Sequence, residues 1–125
     1  MEIGGLQRGD FAVWMPFGQD AEVLIRYVDR EELEEIRRKS ATTRWDGRGS
    51  VEHTLDYLQA DILLGRASVR GWKGFTANGE PFPYSGENRD FLMRKSVEFA
   101  RFVNSACMDM QRLAGQERAQ KRKNS

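Results

Sequence analysis

The chain has 125 residues, of which 39% are hydrophobic and 31% are charged, and its formal net charge at pH 7 is +1. This length predicts a single domain with an ordinary core, and the balance of charges argues against a uniformly basic nucleic-acid binder. One cysteine excludes a disulfide framework, and no apolar run is long enough to span a bilayer. Since Met1–Gly5 also lacks the pattern of a signal peptide, we expect a soluble, cytoplasmic protein without a membrane anchor.

The first predicted elements are a flexible arm and a β-hairpin. Residues 1–8 have no hydrophobic periodicity, which is typical of a loose N-terminal arm. Over residues 11–28, two runs of strand-forming residues flank a glycine-containing turn, and this pattern predicts a hairpin. Alternation along the second run places Val23, Ile25 and Tyr27 on one face.

A helix of about residues 30–40 has clear boundary signals. Asp29 can cap its N-terminus, and Glu32 at the third helical position completes a capping box. The acidic residues of this segment precede its basic residues, an order that complements the helix dipole. We interpret its charged side as a solvated face.

The next segment is predicted to be a polar loop followed by a second helix. Residues 41–49 form the loop and carry Trp45, which either fills a gap in the core or waits for a partner. Ser50 is the expected cap of a helix over about residues 50–64, with Gly65 as its stop. The apolar residues of this helix recur at spacings of four, three and four, namely Val51, Leu55, Leu58 and Ile62.

A second hairpin is predicted at about residues 72–84. Asn78-Gly79 supplies the two residues that tolerate positive φ in a type I′ turn. Aromatic residues on both arms can be joined by cross-strand contacts, and two prolines restrict the second arm to an edge position. Ser85 is the expected cap of the helix that follows.

The last predicted helix, about residues 86–114, is the longest element. Its seam consists of Leu92, Ser96, Phe99, Val103, Ala106, Met110 and Leu113. Packing on the preceding helix explains the first half of this seam, whereas the second half has few visible partners and is a candidate oligomer contact. The fold class is therefore α+β, with three helices and two hairpins in one domain over residues 9–114. Residues 115–125 are predicted to be a basic, disordered tail.

No catalytic, cofactor-binding or metal site is predicted. His53 is the only histidine, and with its neighbouring carboxylates it offers too few ligands for a metal. Cys107 has no activating group nearby, so we expect a packed, passive thiol. Arg44, Trp45 and Arg48 interleave charge with an aromatic ring and are, with the tail, the candidates for nucleic-acid contact. Because the acidic side chains outnumber the basic ones outside the tail, we do not expect nucleic-acid binding.

The segment Trp72–Asn88, with its Asn-Gly turn, its prolines and a Ser-x-Glu-Asn helix start, resembles small proteins of tailed-phage and prophage tail operons. Tyr27–Leu33, followed by a basic helix end, is similar to the same proteins. The resemblance covers roughly residues 22–105 and indicates a phage tail assembly chaperone. It implies a non-enzymatic cytoplasmic protein that self-associates and binds the tape-measure protein before the tail tube forms.

A chaperone needs apolar surface, so protein-interaction residues are predicted in two places. One is the C-terminal half of the long helix, and the other is the central hairpin, which is either core or a docking edge. These residues are Phe102, Ala106, Met110, Leu113, Trp72, Phe75 and Phe82. The alternatives are a structural tail or connector protein of the virion, which forms a closed ring, and a nucleic-acid-binding regulator, whose binding weakens steeply with salt.

Overall fold

The structure, a computed structural model, describes residues 11–45, 47–49 and 51–123, and for residues 43–45, 51–54, 111 and 113–123 it describes the backbone alone. The strands are β1 (Ala12–Phe17), β2 (Ala21–Arg26), β3 (Ala41–Trp45), β4 (Val51–Leu55), β5 (Val69–Lys73), β6 (Thr76–Ala77) and β7 (Glu80–Pro81). The helices are α1 (Arg30–Ser40), α2 (Tyr57–Ser68), α3 (Gly86–Lys95) and α4 (Val97–Lys123). The predicted α+β class is confirmed, but the described residues form four helices where the sequence predicted three. The predicted arm at residues 1–8 lies outside the described residues.

The predicted N-terminal hairpin is confirmed and forms the main antiparallel sheet, in the order β1-β2-β5. Val23 lies opposite both Met15 and Trp72, which defines the inner face of the sheet. Val23 and Ile25, which the alternation placed on one face, are both fully buried there. On the outer face the Trp14 ring lies beneath the Lys73 ammonium group, 4.2 Å from the ring centroid.

β1 is an edge strand of this sheet, and one residue on its unpaired side cannot donate a backbone hydrogen bond. The Tyr27 N–H donates to the Phe11 carbonyl, so the even-numbered residues of β1 direct their backbone groups to the free side. Pro16 is one of these residues, and it has no N–H to offer an added strand. The proline therefore limits pairing along this edge without removing a bond from the sheet.

Helix α1 has the predicted bounds and start. The Asp29 carboxylate accepts a hydrogen bond from the Glu32 N–H at 2.8 Å, and the Glu32 carboxylate accepts one from the Asp29 N–H, which completes the capping box. Arg26 then joins three elements. Its guanidinium forms a two-pronged ion pair with Glu32 and donates to the Ala67 carbonyl at 2.9 Å, linking β2 to α1 and α2.

The prediction of a loop at residues 41–49 and a helix from residue 50 is wrong. The chain forms a hairpin of β3 and β4 instead, and α2 begins only at Tyr57. The threonines and Val51 of this segment are β-branched and favour strands, and the spacing from Val51 to Ile62 matched a helix by coincidence. The hairpin packs mainly on itself and is closed at its base by a hydrogen bond from the Asp56 N–H to the Ser40 carbonyl at 2.8 Å.

The start and end of the second helix also differ from the prediction. The cap is Asp56, whose carboxylate accepts from the Gln59 N–H at 3.0 Å, while the predicted cap, Ser50, lies outside the described residues. Gly65 does not end the helix, which continues to Ser68. A Cβ at Gly65 would lie 2.6 Å from Met93 Cγ, so the glycine allows α3 to pack closely against α2.

The predicted helix over residues 86–114 is two helices separated at Ser96. Ser85 caps α3 as predicted, but Ser96 has an extended backbone and its hydroxyl accepts from the Phe99 N–H at 3.1 Å. A serine at this position therefore starts a new helix instead of filling the seam. α4 continues to Lys123, into the segment predicted to be a disordered tail, because residues 116–123 all have favourable helix propensity.

The second predicted hairpin is shorter than expected. Asn78 and Gly79 have φ angles of 53° and 82°, as a type I′ turn requires. The strands on either side of this turn pair over residues 76–81, with one further backbone hydrogen bond from the Phe82 N–H to the Phe75 carbonyl at 2.9 Å. Trp72 belongs to β5 and pairs with β2, so the predicted first arm is part of the main sheet.

The core lies between the inner face of the main sheet and the helices, and α4 contributes most of one side of it. Its buried residues continue the predicted seam, namely Phe99, Val103, Ala106 and Met110. Among the described residues, no buried side-chain nitrogen or oxygen atom lacks a hydrogen-bond partner. The packed sheet and helices therefore form one continuous core.

Candidate protein-interaction surfaces

Three of the predicted interaction residues lie in an aromatic cluster centred on Trp72. The Trp72 ring stacks on Phe75, with 4.8 Å between ring centroids and 10° between planes, and on Phe82, with 5.9 Å and 7°. Phe99 and Tyr84 approach the same ring edge-on, at 5.9 Å and 5.1 Å. Trp72 is buried, and Phe75 and Phe82 are partly buried against the core. These contacts place the cluster in the core.

Hydrogen bonds fix this cluster between the sheet and α3. The Trp72 indole N–H donates to the Phe82 carbonyl at 2.8 Å. The Tyr84 hydroxyl donates to the Val69 carbonyl at 2.7 Å and accepts from the Arg89 guanidinium at 3.1 Å. Each polar group of the aromatic rings thus has a partner, as partly buried Trp and Tyr side chains require.

The other predicted interaction residues lie on α4, and most are covered by the chain itself. Ala106 and Met110 are buried, and Phe102 is partly buried in edge-on contact with Phe17, 4.9 Å between centroids. The side chain of Leu113 lies outside the described ones. β1 of the N-terminal hairpin lies beside this half of the seam, since Phe17 contacts Phe102, and Met15 and Ala106 line the same groove.

One groove runs beside β1 and α4, and we call it the edge groove. It has a volume of about 460 Å³, and it is lined mainly by Met15, Pro16, Phe102, Ala106, Asp109 and Arg112. Asp109 and Arg112 pair at 2.6 Å, so the charges at this end of the groove neutralise each other. The remaining surface is largely apolar and lies next to the free edge of the sheet.

A second groove lies where α2 crosses the junction of α3 and α4, and we call it the helix groove. It has a volume of about 470 Å³, and its lining includes Leu58, Met93, Arg94, Val97, Ala100 and Arg101. On its wall the Asp61 carboxylate accepts a hydrogen bond from the Asn104 amide at 3.1 Å. Its floor is apolar and its rim carries two arginines.

Several large apolar side chains on the helices are exposed to solvent. Leu58 is 52% exposed, Val97 is 67% exposed and Met108 is 65% exposed. The sequence assigned Leu58 to a buried stripe and did not single out Val97. The signal that could have found Val97 is its position off the seam of Phe99 and Val103, on the outer side of the same helix.

Two titratable groups in the helical layer have shifted pKa values. Burial alone would raise the pKa of Asp90, but hydrogen bonds and charges from Arg66 and Arg89 outweigh it and hold that pKa below its usual value. Burial raises the pKa of the Cys107 thiol, with a smaller opposing effect from Ser68 and Arg26. A buried thiol with a raised pKa is a weak nucleophile at neutral pH, in line with the passive role expected of it.

The residues considered for metal or nucleic-acid chemistry lie in or near the β3–β4 hairpin. Within residues 11–45, 47–49 and 51–123, no group of three or more His, Cys, Asp and Glu residues is arranged to hold a metal ion. Arg48 lies in the exposed turn of the hairpin, while the side chains of Arg44, Trp45 and His53 lie outside the described ones. In the part of the chain that the structure describes, no helix has the length and apolar character needed to cross a bilayer.

The fold and the two grooves define a small α+β domain whose helices leave apolar surface open to solvent. The sequence model of the YdaY prophage protein family matches residues 21–124, and the chain belongs to this family. The match begins at the first residue of β2 and includes α1 to α4, while β1 precedes it. No curated protein and no solved structure matches the chain. The phage or prophage origin that the sequence resemblance implied is thereby confirmed.

Proposed function

We propose that this prophage protein is a non-enzymatic phage tail assembly chaperone, which self-associates and binds the tape-measure protein in the host cytoplasm. The observation that carries the proposal is the exposure of Leu58, Val97 and Met108 on helices whose other sides form the core. A chaperone for a long helical client needs adaptable apolar surface, and a flexible thioether such as that of Met108 suits such a role. The resemblance of Trp72–Asn88 to tail-operon proteins and the prophage family both support this setting.

Co-expression with the tape-measure protein of the same prophage tests the binding part. We expect the tape-measure protein to stay soluble and to co-purify with this chain, and to precipitate when it is expressed alone. Light scattering after size-exclusion chromatography then gives the stoichiometry of the complex. A tape-measure protein that is equally soluble with and without this chain, and that does not co-purify, would contradict the proposal.

Self-association is tested on the purified chain alone, over a wide range of concentrations. Exposed apolar grooves favour reversible association, so we expect an average mass that rises with concentration. A strict monomer at every concentration would contradict this part of the proposal.

A second candidate is a structural tail or connector protein of the virion. The observation that favours it is the β3–β4 hairpin, whose two outer edges are unpaired among the described residues. Such a ribbon can pair with a strand of a neighbouring subunit. A single ring of fixed mass at every concentration would support the connector over the chaperone.

A further inference from the structure

The helix groove is formed by a close helix crossing. Gly65 on α2 faces Met93 on α3, and the absence of a side chain at Gly65 brings the two helices together there. One turn further along, the Asp61 carboxylate accepts from the Asn104 amide of α4. The break at Ser96 turns the chain between these two contacts, so the groove has walls from three different helices.

The apolar part of the groove is incompletely covered by the chain. Met93 and Ala100 in its lining are buried, whereas Leu58 of α2 and Val97 of α4 are more than half exposed. Large apolar side chains that line a concave surface gain hydrophobic stabilisation when a partner fills the space. Side chains at i, i+3 or i+4, and i+7 of a partner helix fit such a groove.

The charges at the rim determine which helix fits. Arg94 and Arg101 both line the groove, and neither forms an ion pair with a carboxylate in the part of the chain that the structure describes. Asp61 is the acidic residue in the lining and accepts a hydrogen bond from the Asn104 amide, so with two arginines the lining keeps a net positive charge. The rim therefore offers two unpaired guanidinium groups, which bind carboxylates through charge-assisted hydrogen bonds.

We propose that the helix groove binds a partner α-helix whose apolar stripe is flanked by glutamate or aspartate side chains. The apolar stripe covers Leu58 and Val97, and the flanking carboxylates pair with Arg94 and Arg101. This inference rests on the proposed function in that the client would supply the helix, and it adds the site and the chemical class of that helix.

The test uses two model peptides and the whole chain. Each is a dye-labelled, alanine-rich helix of about 20 residues, long enough to hold helical structure, with leucines along one stripe. One carries glutamates beside the stripe and the other carries lysines at the same positions. We expect fluorescence anisotropy to show binding of the glutamate peptide, with the lysine peptide at least about tenfold weaker.

Variants of the groove locate the binding site. Leu58→Asp and Val97→Asp should each weaken binding of the glutamate peptide by about tenfold or more, because each places a charge against the apolar stripe. Trp14→Asp is the matched control, since Trp14 is an exposed apolar residue on the outer face of the sheet, away from the helices. It should leave the affinity unchanged. Circular dichroism melts of all three variants check that each is folded.

Charge reversal separates the groove from the net charge of the protein. The double variant Arg94→Glu with Arg101→Glu should reverse the preference, so that the lysine peptide binds more tightly. Arg30→Glu with Arg37→Glu on α1 changes the net charge equally and should keep the original preference. Equal binding of both peptides, no binding of either, or a reversal by the α1 variant would overturn the proposal.

The same variants keep this inference separable from the proposed function. If the tape-measure protein co-purifies with Leu58→Asp and Val97→Asp as it does with the wild type, the chaperone function stands and the groove is wrong. If the glutamate peptide binds as expected but the tape-measure protein does not co-purify, the groove stands and the client is wrong.

Discussion

Two hairpin-containing segments of this chain are held in contrasting ways. The first, which we call the central segment, comprises residues 72–88. It has only four strand residues around its turn, but its aromatic rings pack on β5, α3 and α4. The β3–β4 hairpin, residues 41–55, has a full ladder of five residue pairs but packs mainly on itself. Length of pairing is therefore a poor guide to how firmly a hairpin is attached.

The difference shows where the stability of a small domain is concentrated. A two-stranded hairpin without a packed face is only marginally stable in water, whereas a short turn anchored by buried rings shares the stability of the core. We therefore expect substitutions in the central segment to destabilise the whole domain and changes in the β3–β4 hairpin to have local effects. Four experiments test this contrast.

Replacing Trp72 by alanine should have the largest effect. The substitution removes stacking on Phe75 and Phe82 and leaves the Phe82 carbonyl without its donor, so we expect a loss of about 3–5 kcal/mol in the free energy of unfolding. Urea denaturation measures it. The matched control is Trp14→Ala, because Trp14 is 42% exposed and contacts Lys73 on the sheet surface. That change should cost about 1 kcal/mol or less. Equal losses of unfolding free energy in the two variants would contradict a core role for the central segment.

A pair of glycine substitutions makes the comparison at matched backbone angles. Gly74 and Gly47 have φ angles of 83° and 81°, so alanine is strained at both. At Gly74, within the central segment, a Cβ would also collide with the Asp20 carbonyl oxygen and lie 3.0 Å from the Ala21 Cα, whereas at Gly47 it would meet nothing within 4 Å. We expect Gly74→Ala to destabilise the domain by about 2–5 kcal/mol and Gly47→Ala by about 1 kcal/mol. Thermal melts of the two variants give the difference, and similar melting temperatures would mean that the turn at Gly74 can move aside.

The same contrast explains what the sequence could and could not predict. The signals confirmed by the structure are local, such as the Asn78-Gly79 turn, the capping box at Asp29 and the serine cap at Ser85. Each depends on residues within a few positions of one another, so a single sequence contains all the information needed. The signal that misled was also local, since apolar spacing from Val51 to Ile62 fits a helix although β-branched residues favour strands there.

What the sequence could not supply was the pairing of distant elements. The seam of α4 was predicted correctly, but its cover by β1 and β2 joins residues more than eighty positions apart, as the contact of Phe17 with Phe102 shows. Residue type alone also does not separate a docking aromatic from a core aromatic, and Trp72 is buried. Val97 lies off the seam, and apolar spacing alone could not separate it from the other residues outside the seam.

Shortening the β3–β4 hairpin tests its independence directly. Residues 43–53 are replaced by Asn-Gly, which can close a two-residue turn between Thr42 and Thr54, a hydrogen-bonded pair in the register that the Asp56–Ser40 bond sets. Because the hairpin packs mainly on itself, we expect the free energy of unfolding to stay within about 1 kcal/mol of the wild-type value. Hydrogen exchange of the wild type should likewise show faster exchange in residues 41–55 than in residues 69–73. A shortened chain that fails to fold would show that the hairpin contributes to the core after all.

The smallest effect is expected at Asp90, which joins α2, the helix that follows the β3–β4 hairpin, to α3, the helix that begins at the end of the central segment. Its carboxylate pairs with Arg66 of α2 at 3.1 Å and with Arg89 of α3 at 3.3 Å. Since these arginines hold the pKa of Asp90 below its value in the unfolded chain, the ionised carboxylate stabilises the folded state at neutral pH. We expect Asp90→Asn to cost about 0.5–1 kcal/mol there, as a partly exposed ion pair does.

The pH dependence gives this last prediction its sign. The stabilisation from Asp90 should be fully present above the unfolded pKa of about 3.9 and should disappear as the pH falls through the lower folded pKa. The free energies of unfolding of wild type and Asp90→Asn, measured by urea denaturation, should therefore converge as the pH falls below about 3.9 and differ most at neutral pH and low salt. Asp109→Asn, which removes an exposed pair within α4 alone, is the control and should change stability by a few tenths of a kcal/mol at most. A difference at Asp90 that persists unchanged in acid would mean that packing of the carboxyl group, and not its charge, joins the two helices.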